Sequence, residues 1–145
     1  MYTIYRRNYK KLMKLAPDLW SLTQESVLTC EIGALIDFYL FVTSIDQNRN
    51  EMFIYFSCFD RNPSDKKASY PFIWLSLNRS KKVAKVYTYE DSYSGVQCVD
   101  LVGFLLRRKL NKYLGVHLKN WLSQGYQLQR IPSNHKGDKK NEYYL

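Results

Sequence analysis

Between Leu101 and Gly125 the sequence LVGFLLRRKLNKYLGVHLKNWLSQG is the one long stretch with helical spacing. Leu106, Leu110, Leu114, Leu118 and Trp121 follow one another at intervals of four, four, four and three, which sets them on one helical face. Arg107, Arg108, Lys109, Asn111, Lys112, Lys119 and Asn120 fill the rest of the circumference, so the outer side is polar. Asp100 is placed to cap the start, and Gly125 to end the helix in the left-handed conformation. Gly103 and Gly115 oppose the helix by about 1 kcal/mol each relative to alanine. At about 1.5 Å per residue such a helix spans on the order of 35 Å, the width of a small domain.

Everything between this segment and a first short helix has strand character. Asn8 to Leu15 turns Tyr9, Leu12, Met13 and Leu15 to one side, with Asn8 as a capping candidate and Ala16-Pro17 as the stop. Residues 18–22 can add one further turn. Strands are expected over Val27–Ile32 and Leu35–Ile45, split by Gly33, and over Met52–Phe59 after a turn at 46–50. The second of these has apolar residues on both faces, as a strand covered on both sides does. Residues 60–70 form a polar loop, the expected site of interior mobility, and SYSG at 92–95 interrupts the sheet.

The clearest hairpin pairs Phe72–Asn78 with Val83–Glu90 across Arg79-Ser80-Lys81-Lys82. If Asn78 faces Val83, then Leu77, Leu75 and Ile73 oppose Ala84, Val86 and Thr88 on an aliphatic face. Ser76, Trp74 and Phe72 then oppose Lys85, Tyr87 and Tyr89 on an aromatic and basic face. Phe72, Trp74, Tyr87 and Tyr89 beside Lys85 have the makings of a stacking platform for single-stranded nucleic acid. Rings are also ordinary core material, and packing beneath the long helix is the expectation for them.

A chain of 145 residues with 46% hydrophobic content is long enough for one domain with a real core. Its net charge of +9 is unevenly distributed. Arg6, Arg7, Lys10, Lys11 and Lys14 occur before any acid, residues 17–48 carry acids without a cation, and the last third is basic again. Clustered positive charge steers and holds phosphates. Arg6, Arg7, Lys10, Lys11, Lys14, Lys85, Arg107, Arg108, Lys109 and Lys112 are therefore the candidate contacts for nucleic acid or another acidic polymer. Cys30, Cys58 and Cys98 have no short paired spacing, which points to a reducing compartment rather than a disulfide framework. His117 and His135 complete no metal-ligand set. No signal-peptide pattern and no membrane-length apolar run occur, so a cytoplasmic location without membrane contact is expected.

Three blocks carry a family resemblance. They are Asn8-Tyr9 with Leu12, Leu15 and Pro17; Phe72 to Val86 with Leu77, Ala84 and Val86; and Leu110 to Leu114 followed by Leu118, Leu122 and Gly125. In that order they resemble the bacterial YqiB-like proteins, a family of unknown function. Ala84-Lys85-Val86 stands where the family has Ala-Glu-Val, and Leu105-Leu106-Arg107 where it has Asp-Glu-Lys. The resemblance implies a fold and no mechanism.

The expected fold is α+β: a short N-terminal helix, an antiparallel sheet of about five strands, and a long C-terminal helix packed on the sheet. Residues 1–126 make a single domain, and 127–145 a flexible basic tail. No catalytic residues, cofactor or metal are expected, because no spacing joins a nucleophile to a base. The leading functional expectation is a non-catalytic binding or adaptor domain contacting a polyanion. The alternative is a protein-interaction module or homo-oligomer built on the aromatic sheet face.

Overall fold

Helix α1 (Tyr2–Leu15) begins six residues before its apolar spacing predicts, with Met1 at its N-cap. Asn8 consequently lies in mid-helix and caps nothing. It is 1% exposed, and its side-chain amide donates to the Asn111 carbonyl at 2.8 Å. Its partner is on another helix, which local spacing does not reveal. A 3-10 turn (Leu19–Ser21) follows, as expected.

The computed structural model describes residues 1–30, 36–60, 72–91, 95–98 and 103–130. Gly33, residues 61–70 of the expected polar loop, Ser92-Tyr93-Ser94, Asp100 and Leu101, and residues 131–145 lie outside the described residues.

The five expected strands form β1 (Val27–Cys30), β2 (Ile36–Asp46), β3 (Glu51–Asp60), β4 (Phe72–Asn78) and β5 (Val83–Asp91). Two short pieces, β6 (Gly95–Cys98) and β7 (Gln129–Arg130), extend the sheet at its ends. The order is β6-β5-β4-β3-β2-β1-β7, with every pairing antiparallel. Leu128, just before β7, is 3% exposed, and its N–H donates to the Leu15 carbonyl at 2.7 Å. Successive burial of Tyr39, Leu40, Phe41 and Val42 bears out a β2 covered on both faces there.

Helix α2 (Phe104–Ser123) packs on the sheet with Leu110, Leu114, Leu118 and Trp121 buried, as their spacing predicts. Gly103 is its N-cap rather than an interior residue. At the other end Gly125 has φ +81°, Gly125 N–H donates to Leu122, and Tyr126 N–H donates to Trp121. These two bonds are the Schellman closure that a residue without Cβ permits. Beneath α1 and α2 lie Met52, Ile54, Phe56, Ile73, Leu75, Leu77, Ala84 and Val86. Each fully buried Leu or Ile of this layer contributes about 1.5–3 kcal/mol.

The β4–β5 hairpin keeps its predicted register from Asn78↔Val83 to Leu75↔Val86. There a bulge inserts Tyr87, and the pairs become Trp74↔Thr88, Ile73↔Tyr89 and Phe72↔Glu90. One extra residue reverses side-chain parity, so Tyr89 leaves the aromatic face for the helix side. It is 3% exposed there, with its hydroxyl 3.4 Å from His117 Nε2. The expected placement of Tyr89 beside Phe72 is thereby overturned. So is the expectation that the hairpin's other rings lie beneath α2. The aliphatic row lies under the helices, and Phe72, Trp74 and Tyr87 stand half-buried on the opposite face.

Candidate polyanion interface

On α1, Arg6, Lys10 and Lys14 recur every fourth residue and form one stripe. Together with Tyr9 and Met13 they line one side of a shallow groove. The other side is the β4–β5 loop, through Ser80, Lys81 and Lys82, and the groove has a volume of about 780 Å³. No acid lines it. Among the described residues none of these five cations is ion-paired.

The loop that supplies Lys81 and Lys82 is held from both sides. Asn78 Oδ1 accepts from Lys81 N–H at 2.8 Å, and Lys82 closes the turn with φ +55°. Arg79 N–H donates to the Asn50 carbonyl at 2.9 Å, while Asn50 Nδ2 donates to Ser80 Oγ at 2.8 Å. The two neighbouring hairpin loops thus brace one another, and the lysines project from a fixed backbone.

Lys81 also lines a second cleft, of about 400 Å³, at the edge of β5. Among the described residues β6 pairs only with 88–91, so the outer edge of Val83–Tyr87 has no strand beside it. Asn111 Oδ1 takes up the freed Val86 N–H at 2.9 Å. Around this edge α1 contributes Tyr5 and α2 contributes Arg107, which meet Lys85, Ser76, Tyr87, Phe53 and Glu51 from the strands. Lys85 Nζ stands 5.1 Å from the centre of the Tyr5 ring. Arg107 Nε is buried and has no hydrogen-bond partner among the described residues. Burial pushes the Tyr5 phenol above the ordinary value near 10, against a weaker downward pull from Arg107. Burial raises the Tyr87 phenol as well. Both hydroxyls therefore remain protonated, able to donate and to accept, across the neutral range.

Of the residues expected to contact a polyanion, the fold brings Arg6, Lys10 and Lys14 to the groove, and Lys85 and Arg107 to the cleft. Lys11 turns instead toward α2, with Nζ 3.5 Å from the Gly115 carbonyl. Arg7, Arg108, Lys109 and Lys112 are exposed and line neither cavity, and Lys109 Nζ lies 5.6 Å from the Tyr113 ring centre. Lys81, Lys82 and Tyr5 were not foreseen. The two lysines precede Lys85 closely in sequence, but as loop residues they carry only a turn signal.

The rings of Phe72, Trp74 and Tyr87 continue across β3 and β2. Tyr55 stacks on Phe41 at 5.3 Å and on Phe72 at 6.1 Å, and lies 4.6 Å from Trp74. Tyr87 meets Trp74 at 6.2 Å and Phe53 at 5.8 Å, both edge-on. Phe53 and Tyr55 thus extend the aromatic row that the hairpin alone suggests.

Among the described residues no group of three or more His, Cys, Asp or Glu converges as a metal site, and no helix is long and apolar enough to cross a membrane. Compared with protein-family models, curated proteins and solved structures, the chain has no match. None of these comparisons identifies the YqiB-like family.

Proposed function

We propose that the domain is a non-catalytic binder of single-stranded nucleic acid, whose phosphates follow the groove between α1 and the β4–β5 loop. The observation that carries this reading is the convergence of Arg6, Lys10, Lys14, Lys81 and Lys82 on one groove with no lining acid and no ion-pair partner among the described residues. Unneutralised cations lose little on meeting phosphate, and the counterions released from the strand drive association. On the other face of the sheet Phe53, Trp74 and Tyr87 offer faces or edges to bases without sequence preference, and Phe53 and Tyr87 line the cleft that shares Lys81 with the groove.

The test is binding of a fluorescent oligonucleotide at several salt concentrations. If all five cations neutralise phosphates, log K falls against log salt with a slope of roughly −3 to −4. Replacing Lys10 and Lys81 together by Glu should weaken binding at low salt by at least about tenfold and flatten the slope. The same reversal at Arg108 and Lys112, which line neither cavity, should have a smaller effect. No binding at low ionic strength would exclude the proposal.

The half-buried row Tyr55, Phe72, Trp74 and Tyr87 favours a second reading, a protein-contact or self-association surface on the sheet. On that reading sedimentation equilibrium detects a dimer that Trp74→Ser dissociates. A monomer at all concentrations removes the self-association form of it.

A further inference from the structure

Arg107 is the unusual member of the cleft at the β5 edge. Buried charged donors are nearly always hydrogen-bonded, because an unmade bond forfeits hydration without replacement. Yet among the described residues its buried Nε has no partner, and the side chain as a whole lines a cavity open to a ligand. Lys85 and Lys81 line the same cavity, so among the described residues three cations surround the space against one carboxylate, Glu51. Such a set suits a phosphate, with the guanidinium offering fixed, directional donors and the ammonium groups supplying charge.

The remaining walls are aromatic. Tyr87 and Phe53 stand edge to face at 5.8 Å, and Tyr87 is the residue that the bulge inserts. Tyr87 shares the face of Lys85, which lies two residues before it on the strand, and the bulge leaves Tyr87 with no residue directly opposite on β4. The volume of about 400 Å³ falls within the roughly 300–1,000 Å³ of small-ligand pockets.

We infer that this cleft is a nucleotide subsite: Arg107, Lys85 and Lys81 hold a phosphate while its base stacks on Tyr87, beside Phe53. The subsite rests on the single-strand reading for the source of the nucleotide, because Lys81 joins the cleft to the groove and lets one strand occupy both. The phosphate and ring contacts do not depend on that source.

Titration of the isotope-labelled domain with inorganic phosphate, ribose 5-phosphate, adenosine 5′-monophosphate and a 5′-phosphorylated oligoadenylate tests it by amide NMR. The monophosphate should shift the amides of Lys85, Tyr87 and Arg107, and bind about tenfold more tightly than ribose 5-phosphate because of the stacked base. Arg107→Gln should weaken both by about tenfold, with Lys85→Gln as the second variant should Arg107→Gln not fold. Tyr87→Leu should abolish the advantage of the base and leave ribose phosphate binding in place. A tighter oligoadenylate assigns the site to a strand, and equal affinities assign it to the free nucleotide. Monophosphate binding no tighter than inorganic phosphate, or unchanged in both charge variants, overturns the subsite. If the cleft amides stay still while the oligonucleotide binds with its salt slope, the subsite fails and the groove reading stands. If the monophosphate binds but the oligonucleotide gains nothing from its length, the groove reading fails and the subsite stands.

Discussion

Asn111→Ala should lower the free energy of unfolding by about 2–4 kcal/mol, read from the midpoint of urea denaturation. Asn111 is fully buried and belongs to the polar side of α2 only in type. Its Oδ1 accepts from Val86 N–H at 2.9 Å, and its Nδ2 donates to the Arg107 carbonyl at 2.9 Å. Val86 sits on the stretch of β5 that β6 does not reach, so no strand among the described residues replaces the lost acceptor. Truncation leaves a buried N–H unsatisfied, which costs about 1–3 kcal/mol, and adds the cavity vacated by the amide. The backbone carbonyl of residue 111 remains available to Asn8, so the loss reports the side chain alone.

Asn111→Asp separates the two halves of that interaction. The oxygens can still accept from Val86, but an ionised carboxyl cannot donate to the Arg107 carbonyl and must be charged in a buried place. Burial raises its folded pKa above the unfolded value of about 3.9. A raised folded pKa means that the folded state binds the proton more tightly. The variant is then closest to the parent below the unfolded value and loses stability as pH rises through the folded one. Equal deficits relative to the parent at pH 3.5 and pH 7 would show that the site is wet.

Spacing alone gave away the leucine face of α2, because apolar residues at helical period have few other uses. The four-residue loop likewise predicted four correct pairs of the β4–β5 hairpin. What failed were positions where local pattern and tertiary partner disagree. Val86-Tyr87-Thr88-Tyr89 carries no breaker, so nothing local marks Tyr87 as the inserted residue. Asn8 and Asn111 have side chains that usually face water, and only the meeting of α1, α2 and the β5 edge gives them buried partners. The candidate site divides the same way. The cations of α1 were visible by their density, whereas Lys81, Lys82 and Tyr5 become site residues only when the hairpin loop and the sheet edge are brought to the helices.

Gly115→Ala should destabilise the protein by about 1–3 kcal/mol, although alanine favours a helix interior by about 1 kcal/mol over glycine. A Cβ at this position would stand 2.8 Å from Asn8 Oδ1 and 3.6 Å from Lys11 Nζ. Asn8 cannot simply swing aside, since its other terminal atom is bonded to the Asn111 carbonyl at 2.8 Å and its side chain is buried. The helices must separate or that bond must break. In an Asn8→Ala background the obstructing oxygen is gone, and Gly115→Ala should become neutral or stabilising, giving a coupling of about 1–3 kcal/mol in the double-mutant cycle. An equal cost in both backgrounds would place the cause elsewhere. Gly103→Ala is the control: it lies at the N-cap with nothing among the described residues within 4 Å of an added Cβ, so only a few tenths of a kcal/mol are expected. The close approach at Gly115 also bears on the cleft, because Tyr5 comes from α1 and Arg107 from α2. The spacing of the two helices that Gly115 permits is the spacing at which those side chains meet Lys85.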